Sequence, residues 1–181
     1  MGHTAYISIG SNLGDRLENC KKALDILDCL EGISVLGVSR WYESEAETVD
    51  GESLPDEPAY INGAAEIRTS LEPAGLLARM LETEERLGRP RERKKGARRT
   101  VDLDLLLFGD ELKNTPKLIL PHPALAKRLF VLRPLCDIAP DALEPASGKT
   151  AETLLREALA RGGLDRIEEY RGVGRKDGCS D

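Results

Sequence analysis

The segment Thr100-Val101-Asp102-Leu103-Asp104-Leu105-Leu106-Leu107-Phe108 sets two carboxylates two residues apart at the head of an apolar run. Side chains of an extended strand alternate between faces, so Asp102 and Asp104 point the same way with Cα atoms about 6.6 Å apart. A strand this apolar is buried on at least one face, and near its middle on both. Two carboxylates at the head of such a strand repel each other and resist losing water. All-oxygen ligation suits Mg²⁺, which keeps waters and takes phosphate oxygens beside one or two carboxylates. The alternative is a solvent-facing pair neutralised by Arg98 or Arg99.

The residues just before the strand bear on that choice. Positions 89–99 hold Arg89, Arg91, Arg93, Lys94, Lys95, Arg98 and Arg99 against Glu92 alone, on a chain whose net charge is −6. An isolated basic run is ordinarily a solvated loop, but this one abuts the paired carboxylates. Arginines grip phosphate oxygens through two parallel hydrogen bonds. ATP brings several negative charges and a divalent metal, and Arg89 to Asp104 offers the complement of both. Phosphoryl-type transfer asks a protein for positioning and charge stabilisation more than for a strong base.

The elements that must hold these residues follow from periodicity. Residues 4–9 read as a first strand, and Gly10-Ser11-Asn12-Leu13-Gly14-Asp15 as a turn with helix-capping side chains. Apolar positions at helical spacing predict a helix over 16–30, stopped by Gly32. A second strand is expected over 33–42, with Trp41 in the core, then a long acidic loop over 43–58 broken by Gly51, Pro55 and Pro58. Tyr60 to Arg68 reads as a third strand. A helix capped by Ser70 follows, and 100–108 is the fourth strand. The order strand, helix, strand, strand, helix, strand predicts an α+β, ferredoxin-like split βαβ core (βαββαβ) with helices on one face of its sheet. Additional C-terminal helices are expected near 124–138 and 150–160, after an extended piece at 118–120. One domain over 1–171 with a disordered tail at 172–181 accounts for the length of 181 residues.

Composition narrows the class. Two histidines exclude a histidine-rich metal centre, and the four cysteines show no zinc-type spacing, so free thiols in a reducing cytoplasm are expected. The N-terminus shows no signal-like segment, and no apolar run is long enough to span a membrane.

Several segments together resemble a known family. Gly10-Ser11-Asn12-Leu13-Gly14, Tyr60-Ile61-Asn62, Gly88-Arg89, Arg99-Thr100-Val101-Asp102-Leu103-Asp104-Leu105 and Pro121-His122 stand in the order seen in 6-hydroxymethyl-7,8-dihydropterin pyrophosphokinases. The resemblance runs from about Tyr6 to Leu159. It implies transfer of pyrophosphate from ATP to 6-hydroxymethyl-7,8-dihydropterin, giving AMP and the pterin diphosphate, in folate biosynthesis. It also implies two Mg²⁺ ions on Asp102 and Asp104, with Arg89 and Arg99 assisting on the phosphates. Glu84, Arg91, His122 and Arg128 match positions around the nucleotide, and Ser44, Tyr60, Asn62 and Phe130 positions around the pterin, where Tyr60 and Phe130 would sandwich the ring. The expected protein is a cytoplasmic monomer with no nucleic acid or membrane partner. Gly96-Ala97-Arg98-Arg99-Thr100 departs from the Trp-Gly-Pro-Arg-Thr often found in the family. Glu92 and Lys117 stand where Lys and Arg are common, and Pro123 where an aromatic is often seen. Both loops, 43–58 and 88–99, are expected to be mobile without ligand and to close over it.

Two other functions fit parts of the sequence. An RNA-binding module would use the basic run, but RNP-type aromatics are missing from the strands and the rest of the chain is acidic. A nucleotide sensor on the same fold would bind ATP without releasing AMP.

Overall fold

The computed structural model describes residues 2–46, 57–89, 98–161 and 167–171. Strand β1 (His3–Ser11) leads to helix α1 (Arg16–Asp28), then β2 (Ile33–Val38), β3 (Tyr42–Ser44) and β4 (Tyr60–Thr69). Helix α2 (Pro73–Arg86) and β5 (Asp102–Phe108) complete the βαββαβ core. After it come β6 (Lys113–Asn114), β7 (Ile119–Leu120), α3 (Leu129–Ile138), β8 (Leu143–Glu144), β9 (Lys149–Thr150), α4 (Ala151–Ala160) and β10 (Ile167–Glu169). The main sheet runs β10-β3-β4-β1-β5, with β2 also on β4, and its pairs are antiparallel. This is the ferredoxin-like arrangement expected from the order of elements.

Local chemistry explains the helices. The Asp15 carboxylate accepts the Glu18 N–H at 3.1 Å and caps α1. Cys20, Ala23, Leu24 and Leu27 form its buried stripe. Burial pushes the Cys20 thiol up to about 12, so it packs as a small apolar side chain. Helix α2 starts on Pro73 with Glu72 at the cap, not on Ser70. Proline is preset for the first helical position, where its missing N–H costs nothing. The expected helix from 124 is shorter, because residues 122–127 form successive turns and regular α3 begins at Leu129.

Two expectations about the sheet need correction. Helices cover both faces rather than one: α1 and α2 bury Ile7, Ile9, Leu103 and Leu105, while α3 and α4 bury Leu106 and Leu107. Strand β5 is apolar on both sides past Asp104, so a second layer is required. The strand expected over 33–42 is also two strands. The ladder is irregular between Val35 and Gly37, β2 ends at Val38, and Ser39 bonds to Ala64 before β3 resumes against the start of β4. Tyr42–Ser44 is thus paired backbone where the acidic loop was expected to begin. The β8–β9 hairpin and β10 are too short to show a period in sequence. Most of the two loops expected to move, and the tail at 172–181, lie outside the described residues.

Trp41, placed in the core, packs over Gly63: a Cβ there would stand 2.6 Å from the indole ring. Gly63→Ala should destabilise the fold by about 1–3 kcal/mol through overpacking. Urea unfolding checks this, since the exchange otherwise favours a strand.

Candidate active site

The two aspartates emerge from β5 on the face opposite Leu103 and Leu105. Register sets their neighbours. Gly10 in β1 lies opposite Asn62 of β4 on one side and Asp102 of β5 on the other. Directly opposed residues share a face, so Asn62 and Asp102 flank a position with no side chain. A Cβ on Gly10 would sit 3.2 Å from Asn62 Oδ1 and 3.7 Å from Tyr60 Cδ1. The result is a bare strip of backbone between an amide and a carboxylate. Ser44, opposite Tyr60 in the same sheet, accepts the Asn62 Nδ2 hydrogen bond at 2.9 Å with both residues buried. Ser44 therefore orients Asn62, leaving amide donor and acceptor capacity for the strip.

Arginine surrounds Asp102. Arg89 Nη1 pairs with Asp102 Oδ1 and also with Glu84 Oε1, while Arg99 Nη1 pairs with Asp102 Oδ2. Glu84 Oε1 further accepts the backbone N–H of Leu103 at 2.7 Å. Because β5 closes the sheet order, this N–H lies at an edge, and α2 reaches it through Glu84. Glu84 and Arg89 are 2% and 8% exposed. Of the two arginines named in the alternative to a metal, Arg99 does pair with Asp102, joined there by Arg89, whereas Arg98 pairs with Glu57 at 3.0 Å.

Asp104 has different surroundings. His122 Nε2 stands 3.9 Å from Asp104 Oδ1, and its Nδ1 accepts the Ala124 N–H at 3.2 Å. An accepting Nδ1 puts the neutral imidazole's proton on Nε2, facing the carboxylate. Desolvation, and then the Asp102 charge, raises the Asp104 carboxyl above its ordinary value. Its side chain is still 43% exposed, so the carboxylate keeps a path to solvent. A raised carboxyl beside a second one is suited to a cation, and the donors are all oxygen. Among the described residues no group of three or more His, Cys, Asp or Glu side chains could hold a metal. A metal there would complete its shell with water or ligand oxygens.

The other expected residues fall as follows. Tyr60 borders the strip, and desolvation, with a smaller contribution from the Asp102 charge, pushes its phenol up against the lowering effect of Arg99 and Arg89. Arg128 precedes α3, its guanidinium carbon 5.8 Å from the centre of the Phe130 ring. Arg91 lies outside the described residues. A cavity of about 960 Å³ opens beside Glu84 and Arg89, between α2 and the β6–β7 hairpin. Leu77, Leu81, Lys117 and Leu118 line it. It adjoins the arginine network, not the aspartates themselves. Sequence reasoning read Gly10 and Asn12 as part of a turn with helix-capping side chains, whereas β1 runs on through Ser11 and Asp15 is the cap, and it did not foresee this cavity. The Gly10-Ser11-Asn12 motif was the available signal.

Residues 6–140 match the profile of the 7,8-dihydro-6-hydroxymethylpterin-pyrophosphokinase (HPPK) family. The chain belongs to that family. It is 41% identical to the 2-amino-4-hydroxy-6-hydroxymethyldihydropteridine pyrophosphokinase of Synechocystis sp., covering 86% of this chain and 76% of the relative. The enzyme of the same name from Bacillus subtilis is 39% identical over 92% of this chain and 97% of its own. Among solved structures, an HPPK-DHPS in complex with substrates superposes with a TM-score of 0.68 at 11% identity, over 93% of this chain and 47% of that one. The wild-type Plasmodium falciparum HPPK-DHPS with pteroate gives 0.66 at 13% identity, over 89% and 45%. The chain spans about half the length of those solved chains, and at such identities they speak for the fold alone. As an HPPK family member, the chain carries its shared region through α3, while α4 and β10 lie past the matched residues.

Proposed function

We propose that this chain transfers the pyrophosphoryl group of ATP to the hydroxymethyl oxygen of 6-hydroxymethyl-7,8-dihydropterin. The bond from that oxygen to the β-phosphorus forms, and the β-phosphorus bond to the α,β-bridging oxygen breaks. AMP leaves with the bridging oxygen, and the hydroxyl proton is lost. The product is the pterin diphosphate of folate biosynthesis. The observation that carries this reading is the bare strip at Gly10, bounded by the Asn62 amide and by an Asp102 carboxylate clamped between two arginines.

Each part of the cleft has a task in this scheme. Asn62, oriented by Ser44, meets the mixed donor and acceptor edge of the pterin, and Tyr60 and Phe130 stack on its faces. Arg89 and Arg99 are placed to exchange part of their pairing with Asp102 for phosphate oxygens. Arg91, Arg128 and His122 add contacts to the nucleotide. The cavity between α2 and the β6–β7 hairpin is of a size and apolar character to take the nucleoside, with Glu84 and Lys117 at hand. Asp102 and Asp104 would hold Mg²⁺, two ions as the resemblance implies, and the metal would neutralise phosphate charge. The scheme asks for one domain over 1–171, acting as a cytoplasmic monomer without nucleic acid. Among the described residues no helix is long and apolar enough to cross a membrane.

Supplying ATP, Mg²⁺ and the hydroxymethyl-pterin should yield AMP and pterin diphosphate in equal amounts. Chelation with EDTA should stop the reaction, and added Mg²⁺ should restore it. Formation of ADP, or ATP binding without AMP release, would count against the proposal and favour a simple kinase or a sensor.

A further inference from the structure

We infer that Asn12 is a positioning residue that sets where the Arg99 guanidinium stands, an inference that rests on the role proposed above for Arg99. At the end of β1 the last ladder partner on the β5 side is Asp102, opposite Gly10. Two residues on, the chain still holds the segment before β5, but by other means. The Asn12 N–H donates to the Arg99 carbonyl oxygen at 3.1 Å, and Asn12 Oδ1 accepts the Arg99 N–H at 2.7 Å. One residue thus satisfies both backbone groups of Arg99, with its side chain standing in for a ladder carbonyl. Asn12 is 3% exposed, so water does not readily replace the bond.

Placement follows from this bridge. Arg99 has a long, rotatable side chain, and its Nη1 must reach Asp102 Oδ2 three residues along. The backbone between them is pinned at one end by Val101, fully buried in the core, and at the other by Asn12. Without the Oδ1 acceptor, the Arg99 N–H loses its partner, and the backbone bearing the guanidinium can turn away from the carboxylate. Asn12 acts on the reaction through Arg99, not on substrate. Only a residue with an oxygen acceptor of this reach serves, so aspartate is a substitute and alanine is not.

The test is a double-mutant cycle on AMP release with saturating Mg²⁺-ATP and hydroxymethyl-pterin. Asn12→Ala should lower kcat about 10- to 100-fold, as expected when a reacting group is misplaced, and leave both KM values within about 3-fold. Asn12→Asp should recover kcat to within about 3-fold of the parent, because the acceptor is kept. In an Arg99→Ala background, Asn12→Ala should cost less than about 2-fold more, since the group it places is gone. Equal losses in both backgrounds, an aspartate variant as poor as alanine, or an unaffected Asn12→Ala would each overturn the inference. Full turnover in Arg99→Ala alone would instead overturn the proposed role of Arg99, whatever Asn12 does. If Asn12→Ala does not fold, Asn12→Ser replaces it, because a hydroxyl on the shorter arm does not span the gap, and the same outcomes decide.

Discussion

Asp102→Asn is expected to slow AMP release about 1,000-fold or more, the scale of losing a central electrostatic group in a preorganised site. Asparagine keeps the shape of the side chain and removes its charge. In the folded protein both carboxylate oxygens are engaged, Oδ1 with Arg89 and Oδ2 with Arg99. The neutral amide would strip Arg99 of its paired carboxylate and leave Arg89 with Glu84 as its counter-ion, and would present an NH₂ donor to one of the two guanidinium groups. It would also halve the negative charge available to a divalent cation beside Asp104. The loss should appear in kcat and persist at high Mg²⁺, because weak metal occupancy is only part of the defect. Steady-state AMP assays over a Mg²⁺ series measure it. An Asp102→Asn protein with parental turnover would remove the carboxylate pair from the reaction.

Glu84→Ala should lower stability by about 3 kcal/mol or more, the usual result of stripping one partner from a buried ion pair. Glu84 Oε1 accepts from Arg89 and from the Leu103 N–H, and screening is weak because Glu84 and Arg89 are both buried. Removal leaves an edge N–H of β5 unsatisfied and takes from Arg89 one of its two carboxylate partners among the described residues, leaving it Asp102 and a longer bond to the Val101 carbonyl. With a typical urea slope for a small protein, the midpoint should fall by more than about 1 M. Glu84→Gln, which retains an oxygen for Leu103, should recover part of the loss. A midpoint unchanged in Glu84→Ala would mean that the remaining partners of Arg89, Asp102 and the Val101 carbonyl among them, suffice to hold it. The buried pair is not itself a net source of stability, since desolvating two charges offsets much of their attraction. Its importance is that it fixes Arg89 and the head of β5 together.

Much of the site can be read without coordinates. The alternation in Asp102-Leu103-Asp104 puts both carboxylates on one face, and the structure places both aspartates on the face opposite Leu103 and Leu105. The helical stripes of α1 and α2 are equally legible, because periodicity is a property of neighbouring residues. Tyr60 and Asn62 share a face by the same two-residue rule. Other features are not local. Nothing near Gly10 in the chain says that it lies between Asn62 and Asp102, 52 and 92 residues away by the numbering of the paired strands. Glu84 is a plain helical acid until the edge of β5 arrives beside it. Trp41 and Gly63 show their complementarity only when the bend between β2 and β3 brings the ring onto β4.

The amino-acid sequence by itself determined which segments extend or coil, which face each side chain takes, the crowding of arginines before the paired acids, and the family. Tertiary structure alone decided that Asp102 is shared by Arg89 and Arg99 rather than by Arg98, that Ser44 turns Asn62, that Asn12 grips Arg99, and that helices cover both sides of the sheet. The division has one cause. Face and period depend on dihedral preferences within a few residues, whereas register and side-chain partnership depend on which distant backbones pair, and that is settled by burying the whole core at once.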